Sequence, residues 1–173
     1  LRTVTTEMSS SCSCAPANSL TDETIYDVVE RPFPTQRMLV LLVAEAMAVA
    51  EASGVRLVAF DEYDPALYRK GASGDGAAVG EAMVAISRFY RRHTKVKTGI
   101  WRDLVVRKRK TEVDSQIGVV VARGRRLGVP TPLLDRVVAM IHELEDGRRV
   151  AVDPAVPFSM TVASVVPVET SAN

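Results

Sequence analysis

Apolar residues recur three and four apart through most of this chain, which is the spacing of one face of an α-helix. Thr21 or Asp22 can cap a first short helix with Ile25, Val28 and Val29 on its buried side, ended by Pro32 and Pro34. Thr35 then caps a long helix, Gln36 to Ser53, stopped by Gly54. Leu39, Leu42, Val43, Ala46, Met47, Val49 and Ala50 cover more than one stripe of it, so the pattern predicts a helix at the centre of the core. Residues 60–80 form a polar connection with one turn of helix after Pro65. Another helix runs from Ala77 to about Arg92, with Ala78, Ala82, Ala85, Ile86 and Phe89 on one face. A short helix follows from about Ile100 to Val106. Thr111 caps the next, with Val113, Ile117, Val120 and Val121 at helical spacing up to Gly128. Thr131 caps the last, Pro132 stands at its first position, and Gly147 closes it beyond the stripe of Leu134, Val137, Val138, Ile141 and Leu144.

No strands alternate with these helices, so no parallel nucleotide-binding sheet is encoded in the chain. The fold class is all-α, a helical bundle over residues 20–149. Residues 1–19 are polar, serine-rich and aperiodic, an irregular N-terminal segment. Residues 150–173 mix Val, Pro, Ser and Thr and are expected to be extended or disordered. An N-terminal Leu in place of an initiator Met suggests a fragment or an altered reading of a longer gene.

Composition changes this picture little. Apolar residues are 47% and charged residues 25% of 173, the balance of an ordinary globular domain. The two cysteines, Cys12 and Cys14, are too few for a disulfide framework, and neither His93 nor His142 completes a metal-binding spacing. No metal site is expected. No signal peptide is visible, and the apolar run Met38 to Ala50 is broken by Glu45 and shorter than the ~20 residues of a membrane span. The expectation is a cytoplasmic protein without a membrane partner.

Charge is uneven. The net charge is +1, yet residues 91–110 hold nine basic residues and one acidic one. The block Arg91, Arg92, Lys95, Lys97, Arg102 and Arg107 to Lys110 fits a solvated or internally paired face, the rim of an anion pocket, or a phosphate-binding surface for nucleic acid. No helix beside it offers the Asn, Gln and Arg pattern that reads base edges, which makes nucleic acid the weaker partner. Gly74-Asp75-Gly76 followed by Gly80 resembles a dinucleotide loop, but it lacks a preceding strand and has the wrong spacing, so it is taken as a connection. Trp101 suits a core or interface anchor, with substrate stacking as the other role. Glu112, just after a helix cap, sits where a carboxylate favours the helix dipole. No nucleophile and base stand at a recognisable spacing, so no catalytic residue is assigned.

In series, these parts are more specific. Thr98-Gly99-Ile100-Trp101-Arg102-Asp103 leads through the basic link Arg107 to Lys110 into Thr111-Glu112-Val113-Asp114 and Gly118. Gly128-Val129-Pro130-Thr131-Pro132 follows, then Ile141-His142-Glu143-Leu144-Glu145. Upstream, Leu20-Thr21-Asp22 and the stretch Glu45 to Val55 belong to the same pattern. The order resembles the C-terminal helical domain of ketopantoate reductases (2-dehydropantoate 2-reductases), a domain of the 6-phosphogluconate dehydrogenase C-terminal type. The likeness covers about residues 20–149 and is most specific over 98–132.

That resemblance implies an NADPH-dependent reduction of ketopantoate or a related 2-oxo acid in pantothenate biosynthesis. A Rossmann domain would hold NADP, and the helical domain would close over the substrate. It implies that Glu112 contacts the cofactor, and that Thr98 or Gly99 takes the place of a Ser that binds the substrate, Thr98 by its hydroxyl and Gly99 by its amide. The family's general acid is a Lys expected within about residues 8–12. Here that region reads Met8-Ser9-Ser10-Ser11-Cys12, no Lys precedes Lys70, and Asn18 falls out of step with the expected Asn residues. The chain is therefore expected to be a substrate-capping domain, inactive alone for want of the Rossmann domain and the Lys. A nucleic-acid-binding module using 107–110 and a dimerisation or interaction domain are the alternatives. The expected partners are the 2-oxo acid and either a Rossmann domain or a second copy of the chain.

Overall fold

A computed structural model describes residues 19–21, 23–92, 94 and 96–150. Expectations for residues 1–18, for Asp22, His93 and Lys95, and for the tail beyond Val150 lie outside these. The described residues are helical and hold no strand; one isolated antiparallel bridge joins Phe60 and Tyr63. The helices are α1 (Ile25–Val29), α2 (Phe33–Ala52), α3 (Pro65–Ala72), α4 (Gly76–Arg91), α5 (Gly99–Trp101), α6 (Val119–Leu127) and α7 (Pro132–Glu145).

Helix α2 is the axis of the bundle, packed against α1, α3, α4, α6 and α7. Leu39, Val40, Leu42, Val43, Met47 and Val49 are all buried along it, which is why no single apolar stripe described it. At 20 residues it is long and apolar enough to cross a membrane, which the 38–50 run alone was not. Here it is sheathed by other helices. Helix α3 crosses it closely at Gly71, where an added Cβ would stand 2.9 Å from a Val79 methyl and 3.0 Å from a Val40 methyl. Tyr68 of α3 is fully buried beside them. Leu134, Val137, Met140 and Ile141 of α7 close the far side of the core.

Several helix starts depart from the sequence expectation. Thr24, not Thr21 or Asp22, caps α1, through a reciprocal box in which Thr24 Oγ1 accepts from the Asp27 amide and Asp27 accepts from the Thr24 amide. Helix α2 begins at Phe33 with Pro34 in its first turn, where a missing amide hydrogen breaks no helical bond. Thr35 is thus a buried helical residue instead of a cap. The supposed polar connection contains all eight residues of α3, opened by Asp64 accepting from the Ala66 amide. Asp75 caps α4 by accepting from the Ala77 and Ala78 amides, so the glycine-rich loop spends on its own carboxylate the amides a phosphate would need.

The last helix is capped from elsewhere. Thr131 makes no side-chain cap; its hydroxyl donates to Asp135 at 3.2 Å. The free amides of Leu133 and Leu134 donate instead to the two carboxylate oxygens of Glu45 on α2, each at 2.9 Å. Burial pushes the Glu45 carboxyl above its ordinary range against the pull of those two amides. The residue that interrupts the apolar run is therefore the bolt between the central helix and α7.

Candidate functional site

The residues that carry the family pattern gather where α5, its continuation and the turn into α6 meet the end of α7. Thr98 opens α5 with its side chain accepting from the Trp101 amide at 3.1 Å, and its hydroxyl also meets Ser19 Oγ at 2.7 Å. It is 2% exposed. The hydroxyl offered as a substrate contact is thus turned into the domain and serves the turn itself. Gly99, next to it, is exposed, with nothing within 4 Å of where a Cβ would stand. Trp101 is half-buried, and the Lys97 ammonium lies 4.5 Å from its ring centroid, a cation–π pair.

From Arg102 to Arg107 the backbone winds as a π-helix, wider than the α-helix expected to Val106, and it ends at Lys108 in the left-handed region (φ 49°). The Arg109 amide closes this end by donating to the Asp103 carbonyl at 3.0 Å. The buried Asp103 carboxylate takes a second set of bonds, from Arg107 at 2.8 Å and the Arg109 Nε at 2.9 Å. Arg109 first, then Arg107, hold its carboxyl below the ordinary range. Two of the four cations that a nucleic-acid surface would require are therefore spent on one carboxylate. Farther up the basic block, Arg91 pairs with Glu30, and Arg92 with Asp61 and Glu62. Internal pairing describes these residues.

Glu112 stands on a short turn with two anchors. On one side the Thr111 amide donates to Glu145 Oε1 at 2.6 Å, and on the other Val113 is fully buried. Between them Glu112 is exposed, its carboxylate accepting from Gln116 at 3.3 Å. The Thr111 hydroxyl accepts from the Val113 amide at 3.2 Å just ahead of the following segment, whose own N-cap, Val113, makes no side-chain cap, unlike the Thr111 cap the sequence indicated. That segment is first a π-helix, Asp114–Gly118, and only then α6. Asp114 reaches His142 on α7, whose ring nitrogens lie 3.1 Å from Asp114 Oδ1 and 2.9 Å from Glu145 Oε2.

Helix α6 returns close over α2. An added Cβ at Gly124 would lie 2.9 Å from the Val129 carbonyl and 3.1 Å from a Val49 methyl, so the Gly128–Pro132 joint is folded directly onto the helix. Gly128 ends α6 with φ 69°.

The structure thus brings Thr111, Asp114, His142 and Glu145 together and displays Glu112 beside them. Thr98 is set inside, and Gly99 is left on the surface. Glu45, and the joining of Asp114 to His142, escaped the sequence reading. Only the His142–Glu145 arm had a local signal, the His-x-x-Glu spacing of one helical turn; Asp114 is 28 residues from His142. Among the described residues no group of three or more His, Cys, Asp and Glu could hold a metal.

The family model described as ketopantoate reductase PanE/ApbA C terminal matches residues 4–145, most of the chain. The chain belongs to that family. The match begins at residue 4, ahead of Leu20. Among solved structures, the crystal structure of a PanE/ApbA family ketopantoate reductase from Ralstonia eutropha JMP134 is similar, with 22% identity and a TM-score of 0.58. The likeness covers 80% of this chain and 39% of that one. At that identity it bears on the fold alone. The match therefore spans about two fifths of that relative's length. No curated protein matches the chain.

Proposed function

We propose that this chain is the substrate-capping helical domain of an NADPH-dependent reductase of ketopantoate or a similar 2-oxo acid. The observation that carries the proposal is Glu112. It is an exposed carboxylate on a turn pinned on both sides, within the residues that the family model matches. A nucleotide presents hydroxyl and amide hydrogens, and a carboxylate with one bond from Gln116 has acceptor capacity left for them. Holding it on a fixed turn removes the entropy of orienting it at the moment of binding.

The phosphates and the hydride donor belong to a separate β/α unit, because a helical bundle has no strand edge on which to seat them. The one loop that resembles a phosphate cradle is closed by Asp75, whose charge would repel a phosphate. NADPH would supply hydride to the substrate carbonyl. Gly99, exposed at the start of α5, would offer its amide to the substrate carboxylate, while Thr98 holds that turn in place. We assign no general acid to these residues, and the chain by itself turns over no substrate.

Two measurements test this. The purified chain mixed with NADPH and ketopantoate is expected to give no loss of NADPH absorbance above background; turnover abolished by Glu112→Ala would overturn the capping role. Joined to the nucleotide-binding domain of a PanE/ApbA reductase, the chain should bind NADPH at least about tenfold more tightly than its Glu112→Ala variant, the worth of about one charged hydrogen bond. Equal affinities would sink the cofactor contact.

A further inference from the structure

The ring of His142 lies between two carboxylates from different parts of the fold. Nδ1 is 2.9 Å from Glu145 Oε2, one turn along the same helix, and Nε2 is 3.1 Å from Asp114 Oδ1, in the π-helical segment after Glu112. An ionised carboxylate oxygen only accepts, so each contact needs a hydrogen on the ring nitrogen that faces it. A neutral imidazole carries one such hydrogen, and the imidazolium carries two. Both contacts coexist only in the charged ring.

The two partners are not equivalent. The Glu145 side chain is 3% exposed and also accepts from the Thr111 amide, whereas Asp114 is 74% exposed. Burial alone would push the Glu145 carboxyl up, but the Thr111 amide and hydroxyl together with His142 outweigh it and hold it low. A ring that loses one proton therefore keeps its bond to Glu145 and releases Asp114, which water can solvate. The other charged groups nearby are few. Asp146, at the end of the same helix just beyond Glu145, also feels the ring's charge, and Lys110 from the basic link faces Asp146. Arg136 and Arg149 are engaged with Glu143.

We propose that doubly protonated His142 is a positioning residue that clasps Asp114 to Glu145 and so fixes the Thr111–Asp114 turn on which Glu112 is displayed. The clasp closes when the ring gains its second proton and opens at the Asp114 arm when it loses it. Glu112 is then held from both ends, by Thr111 on Glu145 and by Asp114 on His142. The functional meaning of the turn rests on the proposed cofactor role of Glu112; the clasp itself does not.

The test uses the chain as it stands, without nucleotide. The ring resonances of His142 are titrated by NMR between about pH 5 and pH 8, alongside amide hydrogen exchange at 113–116 corrected for its intrinsic pH dependence. The hydrogen bond to Glu145, and beyond it Asp114, hold the His142 imidazolium above its ordinary range, so the midpoint should lie above about 6.5. Protection at 113–116 should fall severalfold across that same midpoint. Asp114→Asn should lower the midpoint and flatten the change in protection. His142→Gln should give low protection at every pH, and His142→Arg should restore high, pH-independent protection. A midpoint unmoved by Asp114→Asn, or protection flat through the His142 titration, would overturn the clasp. In the joined reductase, NADPH affinity that ignores Glu112→Ala while the clasp titrates as described would refute the cofactor role and leave the clasp standing.

Discussion

The crossing of α2 with α3 and the passage from Thr98 to Gly118 are held together by different forces. At the crossing, Val40, Gly71, Val79 and the fully buried Tyr68 meet through apolar contacts close enough that one methyl decides the fit. In the passage only Ile100, Val113 and Ile117 are buried apolar anchors, while Val105 and Val106 face solvent. Its shape comes from polar bonds: Thr98 to the Trp101 amide, Asp103 to Arg107 and Arg109, Glu145 to the Thr111 amide, Asp114 to His142. Both π-helical segments lie in it. π-Helical turns are rare and are found frequently at functional sites. The frame is packed; the working surface is tied.

Substitutions should separate the two regions by size of effect. Leu39→Ala, in the fully buried face of α2, should cost about 2–5 kcal/mol in urea unfolding, because it removes buried methyls and leaves a cavity. A cost under about 1 kcal/mol would show that the frame is not close-packed there. Next comes the bolt between frame and last helix. Glu45→Ala should cost about 1–3 kcal/mol by stranding two helix amides, and Glu45→Gln less, since one acceptor oxygen remains. Because the folded Glu45 carboxyl is raised, the native state holds its proton more tightly than the unfolded chain. Its protonation thus supports folding, and that support is lost as pH rises from its ordinary 4.5 through the raised value. Glu45→Gln should remove that slope from the stability curve.

Within the tied region, Asp103→Asn should cost about 1 kcal/mol, since both guanidinium partners are half exposed and water replaces much of what is lost. Here the sign reverses. The folded carboxyl is lowered, so its stabilisation is present above the ordinary 3.8 and disappears as pH falls through the folded value. The variant should flatten that acid limb. Smallest of all, Lys97→Met should cost about 0.5 kcal/mol or less and shift the tryptophan emission, which comes from Trp101 alone. An Asp103→Asn cost equal to that of Leu39→Ala would erase the distinction between packed and tied regions.

The same distinction explains what could be seen in the sequence. Helices with apolar faces were legible, including the central place of α2 and the ends at Gly54 and Gly128, because burial repeats at helical spacing and left-handed positions favour glycine. Helix α3 was read as only one turn after Pro65 because its eight residues bury only Pro65, Tyr68 and Gly71, too few to show a period. The π-helical turns left no mark, since hydrophobic spacing barely differs from that of an α-helix over five or six residues. Glu45 as the cap of α7 was hidden for another reason: its partners are 88 and 89 residues away, and no local pattern carries that information. Of the site, the Thr111-Glu112 pair marked the start of a helical segment in the sequence, but the exposure of Glu112 did not show there, and the inward turn of Thr98 depends on Ser19, distant in sequence.

The Glu45 bolt also sets an order of events during synthesis. A chain leaving the ribosome presents the long central helix before the last one, with a carboxylate aimed at amides not yet made. Until residue 134 has emerged, that carboxylate must remain hydrated, so the helix cannot be fully enclosed and its apolar neighbours stay accessible. The Glu45 cap of the last helix can therefore form only after that helix has left the ribosome. A stop codon anywhere before the last helix would release a nascent chain whose central helix is exposed to chaperones and proteases.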